Sequence, residues 1–143
     1  MEFYEELVHF YLTAHRKLSV LPQAEIQKDM NGHSWKADLD FMALDFMKKS
    51  IYLVEVSSST QHPTKIFERL AELNYKNIEP YVRTEILRNE LPSFTLSWWF
   101  FVRDRHSDMI KTQPSYLKYV GFGGRCEVTA LQDVLDQIKE RLS

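Results

Sequence analysis

Apolar positions at helical spacing open the chain: Tyr4, Val8, Tyr11, Leu12 and His15 form one stripe within residues 2–17, and Leu7, Phe10 and Ala14 widen it. Such a stripe predicts a helix packed across a sheet. From Leu21 the period shortens. Residues 21–30 read as a first strand, Asn31-Gly32 is a strong turn signal, and the runs 35–46 and 51–57 read as strands two and three. Met47-Lys48-Lys49-Ser50 is short and polar enough to turn the second strand back on itself, so the three strands form an antiparallel meander.

The breaker cluster Ser57-Ser58-Ser59-Thr60-Gln61-His62-Pro63 ends the meander, and Pro63 suits the first turn of a helix running to about Ile78. Pro80 starts a second helical piece ending near Asn89. The run from Ser93 to Arg105 is apolar on both faces from Trp98 onward, which predicts a central strand covered on both sides. Residues 106–125 carry no clear period, although Gly121-Phe122-Gly123-Gly124 reads as a loop. A short strand over 126–128 follows. Thr129 with Gln132 has the form of a capping box, and Leu131, Val134, Leu135, Ile138 and Leu142 give the last helix its core stripe.

Two of the predicted strands hold acids among apolar residues, in Trp35-Lys36-Ala37-Asp38-Leu39-Asp40-Phe41-Met42-Ala43-Leu44-Asp45-Phe46 and Ile51-Tyr52-Leu53-Val54-Glu55-Val56-Ser57. Acids are poor strand residues and costly to bury, so their presence points to a site. Strict alternation predicts Asp38, Asp40, Met42 and Leu44 on one face, Leu39, Phe41, Ala43 and Asp45 on the other, and Leu53, Glu55 and Ser57 together. Asp40 and Glu55 then sit on neighbouring strands as a hard-oxygen pair suited to Mg2+ or Mn2+. Such a metal activates water or clamps a phosphodiester oxygen. For Asp38 alone, the polar face of an amphipathic strand is the preferred reading.

Composition narrows the class. The 143 residues suffice for one domain, 1–143, with a core that needs no staple, and 44% hydrophobic against 27% charged residues is a globular balance. Cys126 is the single cysteine, which excludes an internal disulfide and reads as a small buried apolar residue. The acidic start Met1-Glu2-Phe3-Tyr4-Glu5-Glu6 is unlike a secretory signal, and no apolar run reaches bilayer length, so a cytoplasmic protein without membrane contact is expected. The net charge of −2 argues against a general nucleic-acid coat. Its distribution is uneven, however: residues 98–125 carry Arg103, Arg105, Lys111, Lys118 and Arg125 against Asp104 and Asp108.

The order of elements and the placement of the acids resemble the PD-(D/E)xK superfamily, the restriction-endonuclease-like phosphodiesterases. Leu39-Asp40 stands where that family has Pro-Asp, and Glu55-Val56-Ser57 stands, fifteen residues on, where it has (D/E)-x-Lys. The resemblance implies an α/β fold with an αβββαβ core, a central mixed sheet of four to five strands flanked by helices. It further implies a metal-dependent nuclease acting on DNA, with Asp40 and Glu55 as metal ligands. Glu5, in the first helix, matches the outer carboxylate of the family, with Glu6 behind it. The motif lysine is replaced by Ser57, so Lys65, after strand three, is the candidate charge donor and Lys36 the other. The rival reading keeps the fold without catalysis, as a module for nucleic-acid binding or protein assembly, as a homodimer or with a protein partner.

Other residue patterns read as structure. His9, His15, His33, His62 and His106 lack the clustered spacing of a zinc site. Trp98, Trp99, Phe100 and Phe101 alternate faces on a strand and read as core rather than as a base-stacking platform. The glycine-rich segment lacks the lysine and hydroxyl of a P-loop, and no nucleophile motif is present.

Overall fold

The computed structural model describes residues 2–30, 33–58, 78–112 and 125–142, with the backbone alone described for 22–30, 33–38, Ile78 and Thr112. Among the described residues, five strands form one sheet in sequence order. β1 (Ser19–Met30), β2 (His33–Asp45) and β3 (Ser50–Ser57) are antiparallel neighbours, while β4 (Thr95–Val102) and β5 (Cys126–Ala130) join in parallel. The sheet is therefore mixed and flanked by helices, the α/β class that the hydrophobic pattern predicts.

Among the described residues the helices are α1 (Phe3–Phe10), which continues as a π-helical turn Tyr11–His15, α2 (Ile78–Tyr81) with a π-helical turn Val82–Ile86, α3 (Asp104–Thr112) and α4 (Leu131–Leu142). Alternation along the strands builds two cores, one on each face of the sheet. Leu44, Ile51, Leu53, Leu96, Trp98, Phe100 and Val102 pack with Val82 and with Ile110 of α3. On the opposite face Phe41, Ala43, Tyr52, Val54, Trp99 and Phe101 meet Val8 and Leu12 of the first helix and Leu131, Val134 and Ile138 of the last. The four consecutive aromatics of β4 are fully buried, two in each core, and each contributes about 1.5–3 kcal/mol of transfer free energy. They are core, as their alternation predicts.

The β2–β3 turn is set by Asp45, whose Oδ1 accepts the backbone N–H groups of Met47 and Lys48, each at 3.0 Å. Lys49 completes it in the left-handed region at φ 50°. Elsewhere the boundaries move. β1 begins at Ser19 rather than Leu21, and the run ending at Arg105 stops as a strand at Val102. Beyond Val102, Arg103, Asp104 and Arg105 are exposed, and Asp104 opens a helix that the weak periodicity of 106–125 had left without an assignment.

One expectation is corrected outright. Thr129 does not cap the last helix, because it belongs to β5 opposite Phe101, and its Oγ1 accepts the indole N–H of Trp99 at 2.9 Å. Satisfying a buried indole nitrogen outweighs a cap that the helix can forgo. The Asn31-Gly32 turn, most of the helix expected from Pro63 and the Gly121–Gly124 loop lie outside the described residues.

Candidate acidic site at the fork of β2 and β3

Asp40 and Glu55 occupy opposed positions where β2 parts from β3. The pairing runs from Asp45↔Ser50 to Phe41↔Val54, so the next opposed positions, one step beyond the last rung, are Asp40 and Glu55. There the ladder stops, and the Asp40 side chain replaces it: Oδ2 accepts the Val56 N–H at 2.8 Å. A carboxylate thus takes the place of a strand carbonyl, a charge-assisted bond that fixes it one peptide away from Glu55. β2 pairs with β1 on both sides of this point, from Ser19↔Leu44 to Pro22↔Phe41 and again from Ala24↔Leu39 to Met30↔His33, with no rung between Gln23 and Asp40.

This fork also corrects the predicted faces. Met42 and Leu44 share a core while Phe41 and Ala43 share the other, as expected, but Leu39 packs with Met42 and Leu44 rather than with Phe41. The alternation is broken at Asp40, where the strand turns away from β3. On β3 it holds: Ile51 and Leu53 face one core, Tyr52 and Val54 the other, which puts Glu55 on the side of Leu53.

Glu55 is 7% exposed, and Asp40 is half-buried. Burying a carboxylate beside a second one is expensive unless a cation or donors compensate. The pair lies toward the carboxyl end of β3, which runs beside the carboxyl end of β4 with Ser57 opposite Val102. Carboxyl ends of adjacent parallel strands form a common rim for binding groups in α/β folds.

The remaining candidates are placed differently. Glu5 sits in the first turn of α1, on the helix layer whose core includes Val54, and its Oε2 accepts the Glu2 backbone N–H at 3.3 Å. The carboxylate is therefore used to cap its own helix. Glu6 is exposed. Lys65 lies outside the described residues, and Lys36 and Asp38 are described only as backbone of β2. Among the described residues, no group of three or more His, Cys, Asp or Glu is gathered in a metal-holding arrangement.

A residue not singled out from the sequence stands at the same rim. Arg103, directly after β4, donates its Nε–H to the Ser58 carbonyl at 2.6 Å, three residues beyond Glu55. Only the excess of basic residues over 98–125 hinted at it, since its proximity to β3 depends on the parallel β3–β4 pairing.

Cys126 packs against the core but is only partly buried rather than the buried residue expected; desolvation still pushes its thiol up to about 12, with the nearby Glu127 charge adding to the shift. A thiol so held is a poor nucleophile. No helix among the described residues is long and apolar enough to cross a membrane. Compared with protein families, curated proteins and solved structures, the chain matches none of them.

Proposed function

We propose that this protein is a divalent-metal-dependent nuclease that hydrolyses phosphodiesters, DNA foremost, with Asp40 and Glu55 holding Mg2+ or Mn2+. The observation that carries this reading is the Asp40 carboxylate bonded to the Val56 N–H beside the buried Glu55. Two carboxylates on adjacent strands offer the hard oxygen ligands that these ions prefer, and a cation would relieve their repulsion. When bound, such an ion polarises a phosphoryl oxygen and makes a better nucleophile of its water. The protein's own part is positional: the Val56 N–H holds the Asp40 oxygen, and the β3 backbone holds Glu55.

Ser57 cannot supply the positive charge that a lysine in its place would bring to a developing oxyanion. Lys65 is proposed for that role, with Lys36 behind it. Glu5 is proposed as the outer carboxylate, which must give up its cap at Glu2 and reach round the rim, because its helix packs on the core opposite the side of Glu55. The test is cleavage of DNA by the purified protein with Mn2+ or Mg2+. Asp40→Ala and Glu55→Ala should each remove at least about 99% of the rate, since each deletes a ligand of the hydrolytic metal. Cleavage that survives both substitutions overturns the reading.

Ser57 also supports a second reading, in which the fold serves nucleic-acid binding or protein assembly without catalysis. Calorimetric titration with Mn2+ separates the two. Saturable binding that Asp40→Asn weakens greatly favours the nuclease, whereas no binding at millimolar Mn2+ favours the module.

A further inference from the structure

An open cleft of about 270 Å³ lies beside the rim, between the first helix and the starts of α3 and α4. Tyr4 forms one wall, Arg103, Asp104 and Arg105 another, and Leu131 with Gln132 the third. These residues are far apart in sequence and meet because β4 and β5 run parallel and each passes directly into a helix at the same end of the sheet. We propose that this cleft holds a phosphate of a single nucleic-acid strand, with the attached sugar or base against Tyr4. That the phosphate belongs to a nucleic acid rests on the nuclease reading above; the preference for an anion rests on the cleft alone.

Two guanidinium groups against one carboxylate give these walls a net positive charge. Arg103 is oriented as well as charged. Its Nε is bonded to the Ser58 carbonyl and its Cζ stands 5.8 Å from the centre of the Tyr4 ring, so the fork is held from two directions. A guanidinium carries five N–H donors in a fixed plane, and only the Nε donor is used in that anchor. The remaining edge suits the paired oxygens of a phosphate, and the Gln132 amide adds a neutral donor. Tyr4 and Leu131 supply an apolar surface for sugar or base.

Size and place narrow the ligand. The cleft is slightly smaller than the roughly 300–1,000 Å³ of small-molecule pockets, which fits one phosphate with part of its nucleoside rather than a duplex. Glu55 lies three residues before Ser58, roughly 10 Å along an extended strand at about 3.3 Å per residue. An extended single strand spaces its phosphates more widely than the roughly 3.4 Å axial rise of a duplex strand and covers that distance in about two nucleotides. A strand seated in the cleft reaches the acidic pair by crossing the rim of the sheet, because Glu55 lies on the side of Leu53 whereas Tyr4 and Leu131 belong to the opposite core.

The test is fluorescence anisotropy of a 3′-labelled single-stranded DNA 12-mer in EDTA, so that binding is read without cleavage. Arg105→Ala should weaken binding about tenfold and reduce the dependence of log affinity on log salt by about one unit, and Arg103→Ala should do the same. Arg103→Lys should recover only part of the loss, because an ammonium lacks the fork. Lys48→Ala, the same loss of charge at the far turn, should leave binding unchanged. A 5′-phosphorylated strand that binds better than its 5′-hydroxyl form identifies a terminal phosphate, and equal binding identifies an internal one. No binding by the folded wild type, or equal losses for Arg105→Ala and Lys48→Ala, overturns the proposal. The two readings fail separately: arginine-dependent binding without any metal-dependent cleavage in the wild type removes the nuclease and keeps the cleft, whereas cleavage with arginine-independent binding does the reverse.

Discussion

Glu55→Gln tests the acidic fork through stability rather than through activity. Residues opposed within an antiparallel ladder hold their Cβ atoms about 4.5–5.5 Å apart, and Asp40 and Glu55 stand one step beyond its last rung, so their separation is at least of that order. At about 6 Å and an effective dielectric near 20, two carboxylate charges alone would repel by roughly 3 kcal/mol, and solvent at the half-buried Asp40, the Val56 N–H and the other groups that both carboxylates contact offset much of that. Replacing Glu55 by its neutral isostere should therefore raise the metal-free stability, by about 1 kcal/mol after screening. With Mn2+ the order should reverse. A ligand at a hundred times its Kd adds about 2.7 kcal/mol to the folded state it binds, which the wild type should gain and Glu55→Gln should largely lose. Urea denaturation with EDTA and with excess Mn2+ measures both quantities, and a midpoint shift at constant slope keeps the comparison within two-state behaviour. Asp40→Asn completes a double-mutant cycle, in which the pair should couple only when both charges are present. Lower metal-free stability in Glu55→Gln, together with a Mn2+ gain equal to that of the wild type, would refute the reasoning, because Glu55 would then be compensated by protein groups alone.

Two further outcomes follow from the surrounding packing. Thr129→Val should destabilise the fold by about 1–3 kcal/mol in urea denaturation by depriving the buried Trp99 N–H of its acceptor, while Thr129→Ser should stay close to the wild type. Cys126 should resist iodoacetamide at pH 8.5 in the folded protein and react readily in urea, and rapid alkylation without urea would show the thiol to be accessible and ionised. Because its folded value of about 12 lies above the ordinary thiol value of 9.0, its contribution to stability is complete below pH 9 and is lost as the pH rises from there toward 12. Cys126→Ala should remove that part of the alkaline decline.

The sequence by itself determined the elements whose period is read within a few residues. Alternation from Phe41 to Leu44 and from Ile51 to Val54, with the short polar Met47-Lys48-Lys49-Ser50 between them, specifies a hairpin with two apolar faces, and the unbroken aromatic run of β4 specifies a strand covered on both sides. The same pattern gave Asp40 and Glu55 as the acids to watch. Only the tertiary structure decided what those acids do to the strands. The loss of pairing after Phe41, the carboxylate on Val56 and the swing of Leu39 to the other core are consequences of a sheet whose second strand must serve β1 and β3 at once. Thr129 shows the same limit: its local spacing fits a helix cap, yet a tryptophan thirty residues earlier claims its hydroxyl. Arg103 became part of the rim because β3 and β4 are parallel neighbours. Periodicity along a chain records which side of an element is buried, whereas a polar partner is selected by whatever the sheet brings within hydrogen-bond distance, and that depends on register between distant segments.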